Sequence, residues 1–219
     1  MKKILTLTLM VMMLFTFTAC GSDNKSDNKS DTKSTATASK TSENKSGKRI
    51  LIAYFSRPDE NIGVGVIEKG NTRILAEMLA EETGGDLFEI KPAKSYPKAY
   101  KETTELAKRE QQEKARPEIV GDLPNIDNYD VILLGYPIWW GDLPMPVYTF
   151  LEKEKFNGKT IAPFCTHEGS GIAGTEGYIE ETTKANMLKG LAMRGSVAQN
   201  SKDKAREELK KWLDEISIK

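Results

Sequence analysis

The sequence predicts an α/β domain, a parallel sheet with helices on both faces. Short, nearly unbroken apolar runs at residues 49–55, 131–135 and 160–165 have the composition of strands buried on both sides. Longer stretches between them carry apolar residues at three- and four-residue spacing. The two kinds alternate along the chain, the pattern of strand–helix–strand units with right-handed crossovers.

After the first strand, residues 71–83 read as a helix with Ile74, Leu75, Met78 and Leu79 on one face. Asn71 or Thr72 is placed to cap it and Gly84 and Gly85 to close it. Residues 86–91 follow as a strand. Residues 96–113 form a charged helix that ends before Pro117, and 131–135 a strongly buried strand. A helix at 147–155, the strand at 160–165, a helix at 177–188 and a weak strand at 190–197 come next. Residues 202–216 make the clearest amphipathic helix, with Ala205, Leu209, Trp212, Leu213 and Ile216 inward. No internal repeat is present.

The N-terminus reads as an address. Lys2 and Lys3 precede an uncharged run at 4–19, short of the ~20 apolar residues a membrane-spanning helix needs. Residues 1–19 are therefore expected to be a signal peptide, with Cys20 directly after the cut. Phe17, Thr18, Ala19 and Cys20 resemble a bacterial lipobox, which implies acylation of Cys20. An ordinary secretory signal with an incidental cysteine is the alternative. Residues 21–46 are almost wholly Ser, Asp, Asn, Lys, Thr and Ala, too polar to offset the entropy of ordering. Residues 20–47 are thus expected to be a lipidated tether of roughly 25–30 Å reach. The expected location is extracytoplasmic, lipid-anchored to a bacterial membrane.

Residues 48–219 are long enough for one domain with its own core. The chain's 32 basic and 32 acidic residues hide an asymmetry. Seven basic and four acidic residues fall in 1–46, which leaves the domain slightly acidic. Nucleic-acid binding wants a basic face and is disfavoured. One histidine and two cysteines, one of them expected to carry lipid, give no disulfide framework and no metal site.

In such folds ligands bind beyond the carboxyl ends of the strands, where the strand order reverses. The first loop there holds Ser56 and Arg57, then glycines that end at Gly70, Asn71 and Thr72. Hydroxyl, amide and helix N-terminus together suit an anion, although the spacing matches neither the Walker nor the dinucleotide glycine pattern. A plain capped helix reads equally well from that loop alone. The second loop places Pro137, Ile138, Trp139 and Trp140 after a buried strand. A flat aromatic at that rim suits a flat ligand, and packing under the loop is the alternative. The third loop runs Thr166, His167, Glu168, Gly169, Ser170, Gly171. A Ser–His hydrolase is rejected, because His167 and Ser170 share one loop and no Gly-x-Ser-x-Gly turn exists.

The three loops, in order and together, closely resemble those of flavodoxin-like proteins. The likeness is strongest to the bacterial branch with Pro-Ile-Trp-Trp and Thr-His-x-Gly-Ser-Gly loops, and it covers essentially all of 48–219. It implies a flavodoxin-like three-layer sandwich whose five-stranded parallel sheet has the order 2-1-3-4-5, with non-covalently bound flavin mononucleotide (FMN). By position it implies that Ser56, Arg57, Gly70, Asn71 and Thr72 hold the phosphate. Pro137, Ile138, Trp139 and Trp140 would flank the ring, and Thr166, His167, Glu168, Gly169, Ser170 and Gly171 would close its other side. His167 is the candidate for proton or substrate handling.

Two features separate the chain from acidic electron carriers: an insertion at 58–69 and a nearly balanced charge. They suit a quinone- or nitro-type reductase, or an electron relay at the membrane, with donor and acceptor unspecified. A non-redox protein that binds or presents flavin, and a surface module with a decayed site, are the alternatives.

Overall fold

The computed structural model describes residues 47–218, which fall within one compact unit. The expected signal peptide, Cys20 and the tether up to Ser46 lie outside the described residues. Among the described residues no helix is long and apolar enough to cross a membrane. No group of three or more His, Cys, Asp or Glu side chains among them could hold a metal ion.

In chain order the elements are β1 (Ile50–Tyr54), β2 (Asp59–Asn61), β3 (Gly65–Ile67), α1 (Asn71–Thr83), β4 (Asp86–Glu89), β5 (Lys91–Pro92), α2 (Tyr100–Gln112) and β6 (Ile119–Val120). A 3₁₀ turn at Ile126–Asn128 precedes β7 (Val131–Pro137), α3 (Met145–Lys153), β8 (Thr160–His167) and α4 (Thr175–Thr183). The chain ends with β9 (Asn186–Met187), β10 (Leu191–Arg194), α5 (Gly195–Asn200) and α6 (Lys202–Glu215).

The main sheet is parallel, in the order β4-β1-β7-β8-β10, which is the expected 2-1-3-4-5, and the two-residue β9 adds a sixth strand beside β8. Every residue of β1 is buried, and its side chains alternate between two cores. Ile50, Ile52 and Tyr54 pack with α1 and α6, whereas Leu51, Ala53 and Phe55 pack with α3 and α4. This period-two alternation makes the three layers. Burial of each large aliphatic or aromatic side chain contributes about 1.5–3 kcal/mol. Gly135 in β7 is a packing requirement, since a Cβ there would lie 2.3 Å from the Phe164 ring of β8.

Several boundaries differ from expectation for local reasons. The charged helix starts at Tyr100, not residue 96, because Pro97 disfavours helical backbone at the residue before it. The helix expected at 177–188 spans Thr175–Thr183, since Lys184 turns left-handed (φ 56°) and Asn186–Met187 pairs with β8. The strand expected to reach residue 197 stops at Arg194, and the chain turns into α5. The 58–69 insertion is a β-hairpin, with β2 and β3 paired antiparallel from Asp59↔Ile67 to Asn61↔Gly65.

Candidate functional site

Sheet register sets where the site lies. Tyr54, Gly135 and Phe164 stand side by side on β1, β7 and β8, so the loops that follow these strands leave the same edge. The connection after β1 runs outward to β4. Later connections run the other way, so the strand order reverses between β1 and β7. Ligand crevices form at such switch points.

In the first loop, α1 receives no cap from Asn71 or Thr72. Gly70 is its N-cap, and Ser56 Oγ accepts the Arg73 N–H at 3.0 Å from across the loop. Gly70 has to lack a side chain, because a Cβ would stand 2.3 Å from Ser56 Oγ and 2.5 Å from the Arg57 carbonyl oxygen. Ile74 N–H returns to Gly70 O at 3.2 Å. The Asn71 and Thr72 amides, which helix geometry leaves without an intrahelical acceptor, stand at the positive end of the helix dipole.

Arg57 is buried, and its guanidinium donates to four carbonyl contacts: Pro97 O from Nε at 3.3 Å and from Nη2 at 2.8 Å, Lys98 O at 2.7 Å and Glu60 O at 2.6 Å. Burial lowers its pKa, while Asp59 and Glu60 act in the opposite direction. The side chain therefore braces the loop, and what it offers a ligand is nearby positive charge. Glu60 Oε2 accepts the Tyr100 N–H at 2.7 Å and so caps α2. The inserted hairpin thereby fixes the start of the helix that walls the cleft.

In the second loop, Trp139 and Asp142 exchange backbone hydrogen bonds, both at 3.0 Å. Between them Trp140 (φ 53°) and Gly141 (φ 75°) are both left-handed, as a type I′ turn requires. A tryptophan in that region costs on the order of 1–3 kcal/mol. Trp140 is held by its Nε1–H to Thr104 O at 2.9 Å and by Lys108 Nζ, 4.8 Å from its ring. Trp139 is half-buried and packs edgewise against Phe55 (centroids 5.2 Å apart) and Tyr96 (4.9 Å). Thus one tryptophan is wedged into the domain and the other stands 52% exposed at the rim.

In the third loop, His167 Nδ1 accepts the Gly169 N–H at 2.9 Å and the Gly171 N–H at 3.2 Å. Burial, and next the Arg194 guanidinium, lower the pKa of the imidazole, with Glu168 acting the other way. The Glu168 carboxylate accepts Ser196 N–H at 2.7 Å and Ser196 Oγ–H at 3.2 Å, with Arg194 at 3.7 Å. A Cβ on Gly63 would come 2.8 Å from Glu168 Cδ, so the tip of the hairpin rests on this loop. Cys165 is buried and its thiol is pushed up to about 12 by burial, which leaves no reactive thiolate at neutral pH.

A cleft of about 370 Å³ opens among these loops. Arg57 and Asn71 lie along it from the first loop. Pro137, Ile138, Trp139 and Trp140 line it from the second, and Thr166, His167 and Glu168 from the third. Ser56 and Gly70 line a neighbouring hollow on the β4 side. Thr72 is buried behind the cleft, while Gly169 and Ser170 are exposed in the loop that His167 holds. The outer wall comes from outside the expected site residues: Asn61 and Ile62 from the hairpin, and Tyr100, Thr103, Thr104 and Ala107 from α2. The uncharged face of an otherwise charged helix was the available sign of α2's part. The hairpin residues gave none.

The molecule is therefore a doubly wound α/β protein. Its cleft at the switch point joins a helix N-terminus to an aromatic wall. Residues 49–216 match the flavodoxin family, and the chain belongs to it. A candidate flavoprotein from Bacteroides eggerthii is 32% identical (TM-score 0.63), the match covering 78% of this chain and 99% of that one. One from Bacteroides uniformis is 30% identical (TM-score 0.60), covering 74% and 98%. A flavoprotein from Lactobacillus acidophilus, solved in complex with FMN, is 27% identical (TM-score 0.56), covering 75% and 98%. No curated protein matches the chain.

Proposed function

We propose that the protein binds FMN in this cleft and passes electrons to a small, flat acceptor. The observation that carries the reading is a single cleft lined both by Asn71, at the start of α1, and by Trp139 and Trp140. A phosphate and a flat ring need those two environments side by side. The FMN complex of the Lactobacillus acidophilus relative supports the choice of ligand.

In this reading the Asn71 and Thr72 amides hold the phosphate. Ser56, which lines the neighbouring hollow and whose oxygen already accepts from Arg73, has its own proton left to donate from that side. Arg57 shapes the loop through its carbonyl contacts and contributes positive charge, and Gly70 keeps the close approach open. Pro137, Ile138, Trp139 and Trp140 flank the ring, with Thr166 and the 167–171 loop on its other side. Bound FMN supplies reversible electron transfer at its ring. The chain's own part is to shield the ring faces from water and to set hydrogen bonds at the ring edge.

Three exposed apolar side chains, Ile62, Tyr100 and Trp140, rim the cleft from three different elements. Such a mouth favours an uncharged aromatic acceptor, of quinone or nitroaromatic type, over a strongly charged protein partner. Repeated dithionite reduction and quinone-driven reoxidation without loss of FMN tests this. Release of FMN on reduction, or no turnover with any quinone, would sink it.

We also place the domain outside the cytoplasm, anchored through lipid on Cys20. Metabolic labelling with a radioactive fatty acid, abolished by Cys20→Ser, is the expected result. Label that survives the substitution would remove the anchor.

A further inference from the structure

We infer that His167 is a fixed hydrogen-bond donor to the ring edge of the ligand, and that its other nitrogen is spent in holding the third loop. The inference rests on the flavin reading for the identity of the ligand. Its core stands on the loop itself.

A backbone N–H can only donate. Two of them, from Gly169 and Gly171, point at His167 Nδ1 at 2.9 and 3.2 Å, so Nδ1 has to be bare. A neutral imidazole has a single N–H, and here it must sit on Nε2. The tautomer is thus dictated by two amides whose polarity cannot be reversed. Nε2 lies on the far side of the ring from that loop and has no hydrogen-bond partner among the described residues, while the side chain lines the cleft.

A proton added to Nδ1 would meet both amides head-on and would require the loop to open. Arg194 on β10 opposes that proton as well, and Glu168 is the one charged group in favour of it. His167 is therefore poorly suited to shuttle protons near neutral pH. It is suited to present one N–H, at a constant place, to a carbonyl oxygen or unprotonated nitrogen of the ring. Such a donor is worth more when its acceptor becomes electron-rich, so it favours the reduced ligand. The expectation of proton handling at His167 narrows to donation without transfer.

His167 is the only histidine in the chain, so ¹⁵N spectra of the full chain contain one imidazole. In the free protein the expected spectrum shows bare Nδ1 and protonated Nε2, with titration only below the usual value of about 6.5. Addition of FMN should shift the Nε2–H signal. His167→Asn puts an acceptor oxygen near the Nδ1 position, so the Gly169 and Gly171 amides should stay protected. It lacks the donor, so FMN should bind about tenfold more weakly and with a lower midpoint potential. His167→Gln restores a donor near the Nε2 position and should recover the potential, with loss of amide protection.

A protonated Nδ1, or an imidazole that titrates near 6.5, overturns the inference. So does bound FMN that leaves Nε2–H unmoved, or a potential unchanged in His167→Asn. If FMN does not bind at all, the flavin reading and the donor's target fall together. The tautomer of the free protein is still decided by its own spectrum.

Discussion

Thr72 Oγ1 and Thr166 Oγ1 meet at 2.9 Å in a buried contact between residues 94 positions apart. One belongs to the first turn of α1 and the other to the end of β8, so the contact ties the proposed phosphate side of the cleft to its ring side. Thr72→Val or Thr166→Val leaves the partner hydroxyl buried and unpaired, a cost of about 1–3 kcal/mol. The double variant removes both polar groups and should lose less than the sum of the two. Urea unfolding of the four proteins measures this coupling. Simple additivity would show that the two hydroxyls do not support each other.

Arg57→Lys keeps the charge and loses the planar fork. Its guanidinium bonds carbonyls of Glu60, Pro97 and Lys98, which no single ammonium can reach together. A loss of at least ~2 kcal/mol is expected, with the Tyr100 and Thr103 amides of α2 losing protection first in hydrogen exchange. Unchanged protection in α2 would mean that the hairpin does not position that helix.

The two tryptophans should behave differently. Trp139→Ala removes a wedge between Phe55 and Tyr96, so it should cost about 2–4 kcal/mol and abolish most flavin quenching. Trp140→Ala gives up an exposed ring with its contacts to Thr104 and Lys108 and keeps the Cβ that strains φ 53°, so it should cost no more than ~1 kcal/mol. Flavin affinity should fall modestly. Equal effects on stability would contradict the assignment of wedge and rim.

Acid should weaken the fold through His167. Its folded pKa is lowered, so the unfolded chain binds more protons below about 6.5. This contribution is fully present above that value and is lost as pH falls through the folded pKa. Asp130 is held down to about 2, first by its hydrogen bond from Arg49, so its contribution is lost only at much lower pH, between its ordinary value and about 2. The Glu110 carboxyl, raised by burial, slopes the opposite way. Subtracting the pH profile of His167→Asn therefore isolates the histidine. Superimposable profiles between pH 5 and 7 would refute it.

Much of the fold was written in local patterns. The runs at 49–55 and 131–135 alternate between two buried faces, and α1 has the bounds its apolar spacing and Gly84 indicated. The positions of the three loops followed from the strands. What lay beyond reach was tertiary. Ser56 caps α1 from outside the helix, and Arg57 turns from the expected anion site towards carbonyls of residues 60, 97 and 98. No local pattern records either partner. The hairpin was equally hidden, since its three-residue strands bury no side chain fully and lack an apolar alternation. Glu168 is readable as a loop residue but not as the group that receives Ser196, because residues 195–197, the start of α5, carry the pattern of the preceding strand.

The central claim is that the cleft holds FMN with its phosphate at the start of α1. Titrating the protein with FMN, and with riboflavin as the phosphate-free control, while following flavin and tryptophan fluorescence, tests it most directly. Strong quenching with FMN and binding at least a hundredfold weaker with riboflavin is the predicted result. Equal affinities would contradict the phosphate site, and no binding of either by the folded protein would contradict the claim as a whole.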